Sequence, residues 1–343
     1  MVVTRRRIGA YGLCRDGDRV LLVRGSARSA LPGAWQLPGG GLRHAEHPAH
    51  AMARRFAAET GLAVEPTGLR AAVADVSHLA GDTLHTDRLV FDVAVRSGAL
   101  RAEADGGTDE VAWLSLAEAA RLPLTPFTAE ALGLPVTPPP ATVPAPPAGG
   151  PPDAGPAPAA TGASPRAAET LPTGAGVTPG VAGVPGGGAT PAGGPASADR
   201  GQRFAAYGLV TDPAGRLLLT RIAEGYPGGG RWHLPGGGTD PGEQPVAGLL
   251  RELVEETGQL GRVVDLLGVD NLHNPAALGP EGRPMDWHNV RVVYRVLVDV
   301  ATEAVVTEAA GGSTAQAAWF APDRVAELPL TEVAADMTGR YRA

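Results

Sequence analysis

The chain has 343 residues, of which 43% are hydrophobic and 19% charged, and its formal net charge is -7. This length predicts two domains of moderate size rather than one core. The acidic balance argues against a polymeric nucleic acid as partner. The single cysteine, Cys14, excludes an internal disulfide framework, and no apolar run of membrane length is present. These totals predict a cytoplasmic protein without a membrane partner.

Residues 134–200 form a segment dominated by Pro, Ala, Gly, Thr and Ser, with no aromatic residue and almost no charge. Such a segment cannot bury enough apolar surface to offset the entropy lost on ordering. We therefore predict a disordered linker between a first domain at residues 1–133 and a second at residues 201–343. A flexible coil of this length spans roughly 45 Å, so the two domains need not touch or share a site.

The two flanks repeat one another in the same order. The repeated pieces are Ala-Tyr-Gly-Leu at residues 10–13 and 206–209, Trp-x-Leu-Pro-Gly-Gly-Gly at residues 35–41 and 232–238, and Leu-Pro-Leu-Thr at residues 122–125 and 328–331. The offset between copies grows from 197 at the glycines to 206 at the last motif. The second copy therefore carries about nine extra residues, which we assign to an inserted loop at residues 274–289.

Each copy predicts the same order of elements: a hairpin strand after a turn signal, a glycine-rich loop, a helix with proline in its first turn, a further strand, and a closing helix after a tryptophan. In the first copy the strands and helix fall at residues 19–23, 49–60 and 88–95, and the tryptophan is Trp113. In the second copy they fall at residues 216–220, 246–257 and 290–300, and the tryptophan is Trp319. This pattern predicts two α+β domains with mixed sheets.

The predicted helix of the second copy carries three glutamates on one face. Glu252, Glu255 and Glu256 stand at positions i, i+3 and i+4. Clustered like charges destabilise a bare helix, and a bound hard cation would neutralise them. A solvated acidic face is the alternative interpretation.

A glycine-rich loop precedes this helix, and glycines let the backbone approach a ligand closely. Main-chain N–H groups there, as in Gly237 and Gly238, could bind phosphate oxygens. With Glu243 and the Arg251-Glu-x-x-Glu-Glu run at their fixed spacing, the segment resembles the Nudix box.

The resemblance implies an α/β/α sandwich that hydrolyses a nucleoside diphosphate linked to another group, with Mg2+ or Mn2+ as cofactor. It implies that Glu252, Glu255 and Glu256 bind the metal together with the Gly236 carbonyl. It also implies that Arg251 orients Glu255, and that Glu252 and Glu255 act in catalysis. Water would be the nucleophile, and a box glutamate or an acid from the sheet would accept its proton.

The first copy departs from this pattern. Arg55 and Ala58 occupy two of the three glutamate positions, and only Glu59 remains. A lone carboxylate beside arginines is a poor site for a divalent ion. We predict that the first domain is inactive and has kept a structural role, with nucleotide binding or regulation as the alternative.

Several residues outside the box are candidates for substrate contact. Arg231 flanks the glycine loop, and Trp287 and His288 lie in the predicted insertion. Gln316 stands where the first copy has Glu110, a position at which some relatives carry a catalytic acid. If the general base lies outside the box, the candidates are Asp270, Glu281, Asp286 and His288.

Three histidines, His44, His47 and His50, recur at every third position of the first copy. They straddle a loop and a helix start, so we interpret them as solvated side chains rather than as a metal site.

Together these features predict metal-dependent hydrolysis of a phosphoanhydride bond in a nucleoside diphosphate derivative or nucleoside triphosphate by the second domain. The alternative is a nucleotide-binding sensor with little turnover, a hypothesis that Gln316 keeps open. The predicted partner is a small-molecule nucleotide substrate, but these motifs specify neither which nucleotide derivative is cleaved nor the oligomeric state.

Overall fold

The computed structural model describes residues 3–79, 82–104, 106–136, 199–278, 284–307 and 312–342. Most of the predicted linker, residues 137–198, lies outside the described residues. We call residues 3–136 the first unit and residues 199–342 the second unit.

Within the described residues, the first unit contains seven strands and three helices. They are β1 (Val3–Asp16), β2 (Arg19–Gly25), β3 (Trp35–Gln36), β4 (Gly39–Gly41), α1 (Pro48–Thr60), β5 (Leu62–Leu79), β6 (Asp82–Gly98), β7 (Thr108–Ser115), α2 (Leu116–Ala119) and α3 (Pro126–Leu132).

The described part of the second unit repeats this order. Its elements are β8 (Asp199–Thr211), β9 (Leu217–Ile222), β10 (Trp232–His233), β11 (Gly236–Gly238), α4 (Pro245–Thr257), β12 (Arg262–Leu278), β13 (Pro284–Leu297), β14 (Thr314–Phe320), α5 (Pro322–Val325) and α6 (Glu332–Arg342). None of the described helices is long and apolar enough to cross a membrane.

Each unit forms one mixed sheet, with strand order β3-β2-β1-β6-β5 in the first and β10-β9-β8-β13-β12 in the second. The β1–β6 and β8–β13 pairs are parallel, whereas the other pairs are antiparallel. The predicted mixed-sheet α+β domains are therefore confirmed. The closing segment differs from the prediction, because each unit ends in two helices rather than one.

The box helices begin and end where their sequences predict. Pro48 and Pro245 occupy the first turns, where backbone N–H groups have no partner within the helix, so the N–H that proline lacks is not needed. Gly61 and Gly258 end the helices in the left-handed conformation, with φ of 75° and 68°, which glycine adopts without steric cost.

The repeated Leu-Pro-Leu-Thr motif fastens the closing segment to the strand before the glycine loop. The Trp35 N–H donates to the Pro123 carbonyl at 2.8 Å, and the Trp232 N–H donates to the Pro329 carbonyl at 2.8 Å. Both tryptophan side chains are buried. They therefore anchor the loops from within the core.

The loop predicted at residues 274–289 is largely a hairpin of β12 and β13, apart from residues 279–283, which lie outside the described residues. Tyr11 pairs with Val90 and Tyr207 with Val293, so Val90 corresponds to Val293 at an offset of 203. Six of the extra residues therefore precede Val293 and three follow it. The segment pairs as strand because ladder hydrogen bonds satisfy backbone groups that a long loop would leave to water.

The two units pack against each other, so the expectation that they need not touch is wrong. One cluster of buried side chains contains Phe56 and Phe91 from the first unit together with Phe204, Leu253 and Val292 from the second. A flexible linker permits separation but does not favour it, and burial of complementary apolar faces favours association.

Candidate active site

Arg251 is the centre of the polar network on α4. Its Nε and Nη2 donate to the two carboxylate oxygens of Glu243 at 3.0 and 3.1 Å, and Nη2 also donates to the Gly238 carbonyl at 3.3 Å. Its Nη1 donates to Glu252 at 2.8 Å and to Glu255 at 3.3 Å. The predicted contact between Arg251 and Glu255 is therefore present, and the same guanidinium ties the helix to the loop before it.

Glu252 and Glu255 direct their carboxylates at one cationic nitrogen. Burial raises the pKa of Glu252, although Arg251 opposes the shift. Its carboxylate lies over Gly237, where a Cβ would stand 2.9 Å from Glu252 Cδ. The side chain of Glu255 is more open, with 30% of its surface exposed.

Glu256 binds the glycine loop. The Gly236 N–H donates to Glu256 Oε2 at 2.8 Å, and the Thr314 hydroxyl donates to Oε1 at 2.5 Å. The close approach requires glycine, because a Cβ on Gly236 would lie 2.3 Å from the Ala206 carbonyl. Each carboxylate oxygen retains a further lone pair, so the role of Glu256 as a metal ligand stays a prediction.

The donor set fits a hard divalent cation. Glu252 and Glu255 are both carboxylates, the ligand type that magnesium and manganese favour, and both already face a positive charge. Gly237 contributes no side chain that would crowd them. The Gly236 carbonyl belongs to the residue whose N–H binds Glu256, which places this predicted ligand beside the same helix face.

Arg203 is a candidate phosphate-binding residue that the sequence motifs did not indicate. It lies on β8, and a Cβ on Gly238 would stand 2.4 Å from its Nε. Its charge also opposes the rise in the pKa of Glu252. Only the pairing of β8 with β11 brings Arg203 to the loop. Arg231, predicted from its place beside the loop, is exposed.

The residues predicted to contact substrate from the insertion lie on β13. Trp287 is half-buried and packs on the backbone at Gly201. His288 is fully buried, with Nε2 2.7 Å from Asn271 Oδ1 and Nδ1 3.0 Å from Gln202 Nε2. Burial, with the nearby histidines, lowers the pKa of His288 to about 4. Substrate contact by Trp287 or His288 stays a prediction.

The candidate bases outside the box are engaged in other contacts. Asp270 accepts a hydrogen bond from Arg291 at 2.6 Å, and Asp286 contacts two histidines. Glu281 lies outside the described residues. Gln316 is exposed on β14, opposite Arg221.

The first unit has an arginine side chain where the second has a carboxylate. Arg55 occupies the position of Glu252 and donates to Glu59 at 2.6 Å, while the Gly39 N–H donates to the same carboxylate at 2.9 Å. A Cβ on Gly40 would stand 3.0 Å from Arg55 Nε. The guanidinium therefore neutralises the remaining glutamate and occupies the space beside the loop.

The buried Glu59 predicts a pH effect on stability. Burial raises its pKa to about 7 despite the attraction of Arg55. Because the folded pKa exceeds the unfolded value, the native state binds the extra proton, and this contribution to stability is lost as the pH rises from about 4.5 through about 7. Glu59→Gln has no such proton to lose. We expect it to gain on the order of 1–3 kcal/mol relative to wild type between these pH values.

Thermal unfolding of both proteins across this pH range measures the effect. Glu130→Gln, at an exposed position on α3, is the matched control and should follow wild type. Parallel curves for Glu59→Gln and wild type would contradict the assignment.

The loop that precedes α4 is held by the first unit. Arg6 donates to both oxygens of Asp87 at 2.8 and 3.0 Å and to the Thr239 carbonyl at 2.5 Å, with a further contact to the Thr239 hydroxyl. The Gly242 N–H donates to His85 Nδ1 at 2.6 Å. Asp87 and His85 are buried, so these contacts lie between the units rather than on the surface.

Gln244 forms a second contact between the units at the start of α4. Its Nε2 donates to the Ala74 carbonyl at 2.5 Å, and its Oε1 accepts from the Ala74 N–H at 2.9 Å. The amide therefore pairs with β5 as a neighbouring strand would. The first unit and the box of the second unit form one packed structure.

Comparison with known families accounts for both units. The family model described as NUDIX domain matches residues 3–133 and 201–341, which together make up most of the chain. The chain belongs to the NUDIX family of hydrolases. The predicted tandem of two Nudix units is thereby confirmed.

Individual relatives cover one part of the chain each. A MutT-like protein of Streptomyces ambofaciens is 44% identical over 62 residues, which are 18% of this chain and 38% of that protein. A MutT NUDIX hydrolase structure from Burkholderia pseudomallei is 26% identical, covering 38% of this chain and 97% of that chain with a TM-score of 0.34. The NUDIX domain of Shewanella oneidensis NrtR, solved with ADP ribose, is 20% identical, covering 41% of this chain and 87% of that chain with a TM-score of 0.34.

Proposed function

We propose that the second unit hydrolyses a phosphoanhydride bond in a nucleoside diphosphate derivative or nucleoside triphosphate, and that the first unit is inactive and holds the active site in place. The observation that carries this proposal is the pair of carboxylates, Glu252 and Glu255, that converge beside a glycine loop and face a single cationic nitrogen. The first unit has an arginine and an alanine at these positions. The protein would act in the cytoplasm, as its sequence totals predict.

The glycine loop and nearby arginine side chains would bind the phosphates. Gly237 and Gly238 present backbone without side chains, so phosphate oxygens can approach closely. Arg203 lies over Gly238 and supplies positive charge from within the site. Arg231 is exposed at the edge of the loop and can reach a substrate from solvent.

Proton transfer falls to the box glutamates. A water oxygen attacks phosphorus, the bridging P–O bond breaks, and the water proton passes to a carboxylate oxygen. Glu252 suits this role because its carboxylate lies over Gly237, where the phosphates are proposed to bind. Arg251 fixes the carboxylates of Glu252 and Glu255 relative to each other.

Mg2+ or Mn2+ held by Glu252, Glu255, Glu256 and the Gly236 carbonyl would neutralise phosphate charge and lower the pKa of the attacking water. The full chain should therefore release phosphate or a nucleotide product from a panel of nucleoside triphosphates, dinucleotides and nucleotide sugars only when magnesium or manganese is present. Tight nucleotide binding without turnover across the panel would instead support the sensor function.

The contact between Arg6 and Thr239 joins the two units, so it predicts that a residue far from the box in sequence affects turnover. Arg6→Gln removes the bonds to Thr239 and leaves the loop before α4 less constrained. We expect kcat/KM to fall roughly 10- to 100-fold, because small displacements of catalytic groups are costly.

Steady-state kinetics well below the unfolding temperature measure this effect. The exposed neighbour Arg7 provides the control, and Arg7→Gln should behave as wild type. Unchanged kinetics in Arg6→Gln would show that the box does not depend on the first unit through this contact.

A further inference from the structure

A cluster of two histidines and one aspartate lies between the units, away from the helix face of the box. His44 comes from the loop before α1, His273 from β12 and Asp286 from β13. One side-chain ligand atom from each lies within 4.8 Å of the others, and among the described residues no other group of three His, Cys, Asp or Glu side chains meets this condition.

Both histidines turn the same nitrogen towards one oxygen. Nε2 of His273 is 2.7 Å from Asp286 Oδ1, and Nε2 of His44 is 3.0 Å from it. The side chains of His44 and Asp286 are only 17% and 21% exposed, and that of His273 is 34% exposed. The site is therefore partly closed, with an opening to solvent beside His273.

Hydrogen bonding alone does not satisfy this cluster. His273 and Asp286 form a well-directed bond, but Nε2 of His44 is buried and makes no hydrogen bond, despite its distance from Asp286. A buried nitrogen that faces a carboxylate at 3.0 Å without a well-directed hydrogen bond is incompletely satisfied. A cation placed between the three ligand atoms would bind that nitrogen directly.

We propose that His44, His273 and Asp286 bind a divalent transition metal, with zinc as the best match, between the two Nudix units. Two imidazoles and one carboxylate are a ligand set that zinc accepts, whereas magnesium favours oxygen. Ligand distances of about 2.0–2.2 Å place tetrahedral ligands roughly 3.4 Å apart. The two measured separations are within about 1 Å of that value, so small side-chain movements complete the site.

The fourth position of this site is open to water. His288 is a further imidazole close to the cluster, with its ring centre 5.5 Å from that of His44, but both of its nitrogens already have partners. Arg200 lies 3.8 Å from the second oxygen of Asp286, yet it is 73% exposed and can move into solvent. The metal would join the loop before α1 to the hairpin of β12 and β13, and so fasten one unit to the other.

Zinc titration of the untagged full-length chain tests this proposal. The metal-stripped protein is titrated against a chromophoric chelator in millimolar magnesium, which keeps hard-cation sites filled. We expect wild type to bind one equivalent of zinc. His44→Ala and His273→Ala should each lower the zinc affinity at least about 100-fold, because loss of a direct ligand exceeds the 10- to 100-fold loss typical of outer-shell partners. His50→Ala, at an exposed position on α1, is the matched control and should bind as wild type.

Thermal unfolding supplies a second readout. Zinc should raise the Tm of wild type and of His50→Ala, and should leave the Tm of His44→Ala and His273→Ala unchanged, since only a ligand that binds the native state stabilises it. If His44→Ala fails to fold, His273→Ala decides the result, because its side chain is the most exposed of the three. Absence of zinc binding by wild type, or equal binding by the variants and wild type, would overturn the proposal.

Discussion

Glu255→Gln is expected to lower turnover at least about 100-fold while leaving the fold intact. The substitution keeps the size of a side chain that is 30% exposed and removes only its charge. The loss follows because Glu255 is one of two carboxylates that face Arg251 and form the proposed cation site. Measurement of kcat with saturating magnesium, together with the Tm, separates a catalytic effect from unfolding.

The matched control lies in the first unit. Glu59 is the glutamate that remains in the degenerate box, and Arg55 already neutralises it. Glu59→Gln should therefore leave turnover nearly unchanged. Equal losses of kcat in Glu255→Gln and Glu59→Gln would refute the assignment of catalysis to the second unit alone.

The isolated segment from Arg200 to Ala343 is expected to lose most of its activity and to aggregate or unfold. It carries the complete box, but separation from the first unit exposes apolar side chains such as Phe204 and Val292, which belong to a cluster shared by both units. It also removes Arg6 and His85, which bind the loop before α4. We expect specific activity to fall at least about tenfold.

A break in the chain provides the control for this experiment. A protease site introduced between residues 136 and 199 cuts the connection but keeps both units. The cleaved protein should co-elute as one complex and keep its activity, since the packed faces hold the units together. An isolated second unit that is monomeric and fully active would contradict the supporting role of the first.

Local sequence determined the box and most of the elements around it. The glutamates of α4 share a face because a helix brings residues three and four apart together, and this geometry is set within one turn. The proline and glycine at the ends of each box helix likewise act within a few residues. For the same reason, replacement of two glutamates by Arg55 and Ala58 was sufficient to predict an inactive first unit.

Contacts between distant residues were decided only by the tertiary structure. Arg203 reaches the glycine loop through strand pairing, and Gln244 binds a strand of the other unit. The sequence predicted that the units need not touch because a long linker permits separation, but linker length carries no information about the complementarity of the surfaces it connects.

Sequence likewise could not predict that His44 and Asp286 lie close together. Read along the chain, His44 belongs to a run of solvated histidines and Asp286 to a loop. The packing of the two units places them 3.0 Å apart. Sequence alone determined the box helix, because its residues are specified at fixed short spacing, whereas the interface and the proposed metal site there depend on how two folded surfaces meet.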